Sequence, residues 1–130
     1  MSLADRQTAA DVMMIRPVAF VGNPQTQPSN SFQQLDSANG AATSVDAASQ
    51  TAALLEFDVL AGALRQAGVQ GHVFDDTPEP HTRDSIFPNN WVSFHADGTV
   101  VLYPMLAENR RLERRLDLLE ALSSKHGFHA

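Results

Sequence analysis

The apolar positions of this chain follow two periods, and the switches between them lay out its elements. Residues 12–21, VMMIRPVAFV, form a short apolar run rich in Val, closed by Gly22, Asn23 and Pro24. Such a run reads as a buried strand, with Pro17 placing it near an edge or an irregularity. From Ala53 the apolar residues recur at Phe57, Leu60, Leu64 and Ala67, a single helical stripe on a helix that begins near Thr51. Gly68 follows directly, where a left-handed cap closes a helix. Residues 69–76, VQGHVFDD, return to a strand, and the two prolines of the next eight residues make a loop. Residues 91–104 hold two strand-like runs joined at Ala96, Asp97 and Gly98, and Asp-Gly between β-prone runs predicts a hairpin. Leu112, Leu116, Leu119 and Leu122 then mark a last helix closed by Gly127. The order is strand, helix, strand, strand, strand, helix. The final GFHA repeats the form of GVQGHVF, as a further strand just begun, so the sequence reads as truncated.

Two stretches fall outside this pattern. Residues 1–11 are small and polar and are expected to be a flexible N-terminus. Residues 25–50, rich in Gln, Ser, Asn, Ala and Thr, have little to bury and predict a long polar surface loop. A loop of that length in a compact domain is either functional or an insertion. The remainder, residues 12–130, is one domain on this reading.

Composition narrows the function classes. A net charge of -6 argues against a nucleic-acid partner, which needs clustered Lys and Arg. Basic residues gather at Arg110, Arg111, Arg114 and Arg115, but with acids beside them they read as a solvated helix face. The chain has no cysteine, which excludes disulfides, thiolate metal sites and a cysteine nucleophile within these residues. No apolar run is long enough for a membrane span and the start has no apolar signal core, so the expected compartment is the cytoplasm.

Candidate chemistry concentrates in HTRDSIFPNNWVSFHADGTVVLYP, residues 81–104. Asp84 can cap a turn, pair with Arg83 or hold a cation, and most loop aspartates cap turns. Asn89 and Asn90 after Pro88 suit a turn equally well. Trp91 is more often core than site. The five histidines, His72, His81, His95, His126 and His129, show no metal-ligand spacing, and His72 and His95 read as structural. Asp75, Asp76 and Glu79 make a negative patch without the glycine of a calcium loop. No glycine-rich phosphate loop or nucleophile elbow is present. No metal and no cofactor is expected.

MIRPVAFVGNPQTQPSNSFQ and, above all, FDDTPEPHTRDSIFPNNWVSFHADGTVVLYPMLAENRRLERR resemble the amidinotransferase and arginine-deiminase superfamily, the penteins. Within it the chain is most similar to bacterial arginine-deiminase-related proteins that include citrulline hydrolases. The resemblance implies an α/β propeller of five ββαβ modules around a central pocket. This chain would supply its N-terminal portion, about one module plus most of the next. It also implies hydrolysis of a guanidino or ureido C–N bond by a cysteine thiolate, with a histidine managing protons. Neither catalytic residue has a match here. Asp84 matches the family's substrate-binding aspartate, which accepts paired N–H bonds from a planar group. Phe87 matches an apolar pocket residue. Asn89 and Asn90 stand where dimethylarginine-hydrolysing relatives carry Glu-Asp, which favours a neutral, citrulline-like substrate over a cationic, arginine-like one. Bare sheet edges would favour self-association. The alternative is a catalytically inactive remnant that needs a partner chain to complete the propeller.

Overall fold

The computed structural model describes residues 8–20, 47–80 and 82–126. Strand β1 (Asp11–Arg16) pairs in parallel with β2 (Gln70–Asp75), in register from Asp11 opposite Gln70 to Arg16 opposite Asp75. Helix α1 (Ala47–Gln66) lies between them in sequence. A parallel pair requires such a crossover, so this half is a βαβ unit. Strands β3 (Val92–Phe94) and β4 (Val100–Leu102) form an antiparallel hairpin, and α2 (Leu116–His126) follows. The class is mixed α/β.

Local chemistry sets several boundaries. Gly68 ends α1 at φ +84°, and the Val69 N–H donates to the Leu64 carbonyl at 2.9 Å. Gly98 takes φ +88° in the hairpin turn, where the Asp97 carboxylate accepts the Thr99 N–H at 2.9 Å. Both conformations cost little for glycine and more for any residue with a Cβ. β1 stops at Arg16, directly before Pro17. The strand is shorter than the apolar run 12–21 predicted, and it takes in Asp11 at its start.

The two faces of β1 meet different neighbours. Met13 packs against the cluster of Trp91, Val92, Met105 and Leu119, joined by Phe94, Val100 and Leu102. Trp91, only 1% exposed, fills the centre of this core, as its size predicts. On the even-numbered face, Arg16 clamps Asp58 of α1 through Nε–Oδ1 at 3.0 Å and Nη2–Oδ2 at 2.9 Å.

Helix α1 departs from expectation in two ways. It begins at Ala47, so residues 47–50 are helical rather than part of the predicted loop 25–50. Gln50 gives the reason: its Nε2 donates to the Pro17 carbonyl at 3.1 Å and its Oε1 accepts the Phe20 N–H at 2.6 Å. The side chain read as loop polarity thus fastens the first turn to the chain leaving β1. Second, no residue of α1 is buried, and Leu60 of the predicted stripe is 52% exposed.

The last helix also differs. Leu112 lies in a separate 3-10 helix, Glu108–Glu113, and α2 starts at Leu116 with Leu118, Leu119 and Leu122 buried. Leu112 and Leu116 stay exposed. No described helix is long and apolar enough to cross a membrane. The predicted flexible start up to residue 7, the rest of the loop (residues 25–46), His81, His129, Gly127 and the GFHA repeat lie outside the described residues.

Candidate functional site

The loop between β2 and β3 carries the predicted site and is held from within by two buried polar groups. Asp76, next after β2, accepts hydrogen bonds from Thr82 Oγ1 at 2.8 Å and from Ser85 Oγ. Thr82 is 2% exposed, and Asp76 and Ser85 are also buried. The expected acidic patch of Asp75, Asp76 and Glu79 is therefore not assembled. Asp76 points inward as a staple, because a buried carboxylate is tolerable only with donors around it.

Asp84 is held on three sides by a buried ion pair. Its N–H donates to Glu113 Oε1 at 3.1 Å, its carbonyl accepts from Arg110 Nη2 at 3.3 Å, and its Oδ2 lies 3.6 Å from Arg110 Nε. Arg110 in turn donates to Glu113 Oε2 from Nε at 3.0 Å and from Nη2 at 2.9 Å. Burial pushes the Glu113 carboxyl up from its ordinary range, and the Arg110 guanidinium pulls the other way. The arginine cluster is a solvated face only in part: Arg111 and Arg114 are exposed, while Arg110 and Arg115 are half-buried. Arg110 turns inward, Arg111 Nε donates to the Met105 carbonyl at 3.2 Å, and Arg115 reaches the Asp75 carbonyl at 3.0 Å. Only the spacing of Arg110 and Glu113, one helical turn apart, signalled this pair in sequence. Their burial could not be read from a segment that also carries Arg111, Arg114 and Arg115.

From Asp84 the chain turns tightly. The Phe87 N–H donates to the Asp84 carbonyl at 3.0 Å, the Asn90 N–H to the Phe87 carbonyl at 3.1 Å, and the Trp91 N–H to the Pro88 carbonyl at 3.0 Å. Pro88–Asn90 is a single 3-10 turn, with buried Trp91 as its anchor. This sets the predicted residues on two sides. Phe87 and Asn89 line a groove of about 820 Å³, Asn90 is exposed beside it, and Asp84 faces Arg110 rather than the groove. The opposite wall is the face of α1 bearing Ala53, Phe57 and Leu60, and the floor is β1.

The two histidines read as structural each make a local side-chain contact. His72 Nε2 pairs with Asp11 Oδ1 at 2.9 Å, and His95 Nε2 bonds Ser93 Oγ at 3.1 Å. Among the described residues no group of three or more His, Asp or Glu is placed to hold a metal ion.

The described residues thus form a mixed α/β fold, with a βαβ unit and a hairpin. A family model of eukaryotic N,N-dimethylarginine dimethylhydrolases matches residues 16–129, and the chain belongs to that family, which is of the amidinotransferase (pentein) type. No curated protein and no solved structure matches the chain. The family hydrolyses the guanidino group of a small arginine derivative.

Proposed function

We propose that this chain is the N-terminal portion of a pentein-type α/β propeller, about one module plus most of the next, and that the completed site hydrolyses a neutral ureido substrate of the citrulline type. The observation that carries the substrate preference is the Asn89-Asn90 pair on the turn beside the groove. Two amides offer donors and acceptors without the negative charge that draws a guanidinium. Asp84 is the group that accepts the substrate's N–H pair by the family resemblance; its carboxylate faces Arg110 in this structure and turns from it toward the substrate to do so, while Glu113 holds its N–H. Phe87, about half exposed on the turn, is the apolar contact. The thiolate nucleophile comes from outside these residues, since the sequence has no cysteine.

That absence also favours a second reading, a catalytically silent remnant that needs a partner chain to complete the propeller. One experiment separates the two. The genomic reading frame that contains this chain is expressed, and ornithine from citrulline is measured beside deimination of arginine and hydrolysis of dimethylarginine. The proposal expects citrulline to turn over fastest, with Asp84→Asn abolishing turnover and leaving the unfolding midpoint nearly unchanged. Faster turnover of arginine would overturn the substrate assignment. A frame without a cysteine or an active partner would leave the remnant.

A further inference from the structure

Arg110 stands between two carboxylates, and the distances show which one holds it. In a 3-10 helix residues three apart eclipse, so Arg110 and Glu113 of the helix Glu108–Glu113 stack on one side of the turn. Glu113 Oε2 accepts Arg110 Nε at 3.0 Å and Nη2 at 2.9 Å, and Oε1 accepts Nε again at 3.3 Å. Asp84 Oδ2 lies 3.6 Å from the same Nε, beyond hydrogen-bond length. Attraction between charges grows as they approach and as water leaves. The Glu113 side chain is fully buried, whereas that of Asp84 is 12% exposed. The guanidinium is therefore committed to Glu113, and its hydrogen bond to Asp84 goes to the carbonyl, from Nη2 at 3.3 Å.

The main chain of Asp84 is tied to this pair at both ends. Its N–H donates to Glu113 Oε1 at 3.1 Å, and its carbonyl accepts from Arg110. An aspartate carboxylate can pass from one staggered χ1 rotamer to another without moving either bond. What opposes that turn is the pull of Arg110. If Glu113 carried no charge, the Arg110 fork would have the Asp84 carboxylate within reach. An arginine paired with a carboxylate through two parallel N–H bonds is hard to displace.

We propose that Glu113 is a positioning residue of the site: by occupying the Arg110 fork it keeps Arg110 from clamping Asp84, so that the Asp84 carboxylate can turn to the N–H groups of a ureido substrate. This role rests on the reading of Asp84 as the substrate's acceptor. Glu113 acts through Arg110 and Asp84 and touches no substrate itself. In its ionised form Glu113 has only acceptors to offer, and the groups bonded to its two oxygens are N–H donors. An ion pair kept only for stability would be indifferent to where the Asp84 carboxylate points.

The test uses the expressed reading frame that contains this chain. Glu113→Gln keeps an oxygen to accept the Asp84 N–H and removes only the charge. With citrulline, KM should rise by about tenfold while kcat changes much less, and adding Arg110→Gln should bring KM back toward its starting value. A purely structural pair predicts no such rescue, because the double variant loses more contacts than the single one. Urea unfolding reads the same switch without turnover. Asp84→Asn should change the folding equilibrium constant by less than about threefold in the starting protein and by about tenfold or more beside Glu113→Gln. With Arg110→Gln added, the change should again be less than about threefold. If Glu113→Gln does not fold, Glu113→Asp, which draws the carboxylate back by one methylene, takes its place with the same expected directions. An unchanged KM in Glu113→Gln, or an Asp84→Asn cost equal in all three backgrounds, overturns the role of Glu113 and leaves Asp84 as the acceptor. Turnover that survives Asp84→Asn overturns the reading of Asp84, and this role with it.

Discussion

On one face of β1, Trp91, Val92, Met105 and Leu119 close into a core. On the other, α1 lays twenty residues along the sheet without burying one. The same strand thus has a finished side and an unfinished side. The hairpin side is also where buried polar groups are all partnered, with Asp76 taking two hydroxyls and Glu113 taking Arg110 and the Asp84 N–H. Among the described residues no buried side-chain polar atom lacks a hydrogen bond. The α1 side has surface ties instead, the Arg16–Asp58 pair and the Gln50 clamp. The difference places rigidity under the turn that carries Asp84, Phe87, Asn89 and Asn90, and leaves the groove wall opposite it loosely held.

Paired truncations test that contrast most strongly. Trp91→Ala removes the centre of the closed core and should cost about 3–5 kcal/mol, the usual range for an aromatic deleted from a packed interior. The helical stripe alone predicts Phe57 to be an equal core residue. Half-buried and lining the groove, Phe57→Ala should cost only about 1 kcal/mol, because less apolar area returns to water. Urea unfolding of both variants measures the gap. Equal losses would mean that the α1 side is packed as tightly as the hairpin side.

Next in size is the buried pair. Glu113→Ala leaves the Arg110 guanidinium and the Asp84 N–H without their acceptor, and removing one partner of a buried pair costs about 3 kcal/mol. Amide exchange in residues 82–87 should speed up more than exchange in β1. If β1 loosens equally, the turn and the sheet are one cooperative unit.

Elements set by local backbone chemistry were legible in the sequence. Gly68 and Gly98 marked a cap and a hairpin because positive φ leaves few other choices. Trp91 was legible as core through its size alone. What escaped depends on contacts distant in sequence. Gln50 looked like loop because its partners, Pro17 and Phe20, lie thirty or more residues away. Asp76 looked like surface because the hydroxyls that hold it inward appear only when the loop closes. Arg110 looked solvated because its neighbours Arg111, Arg114 and Arg115 are basic too. The site residues show both limits. Asn89 and Asn90 fall in a turn with Pro88, as the sequence suggests, but nothing local indicated that Asp84 would face an arginine from the 3-10 helix Glu108–Glu113.

The smallest effect distinguishes the two sides by pH. On the α1 side, the hydrogen bond from Arg16 holds Asp58 below the usual carboxylate range. Its folded value lies below the unfolded one, so the stability it gives is present above the unfolded value of 3.8 and is lost as pH falls through the folded one. Glu113, on the hairpin side, has the opposite sign. Burial raises it, so folding favours its protonated form, and stability declines as pH rises from the unfolded value of 4.5 through the folded one. Asp58→Asn should flatten the acid limb of the unfolding profile, and Glu113→Gln the limb above it. About 1 M salt, which cuts screening lengths to about 3 Å, should mimic Asp58→Asn and leave the Glu113 limb in place. A salt effect on both limbs would mean that the Glu113 pair is open to solvent, and the two sides of β1 would then differ in packing but not in electrostatics.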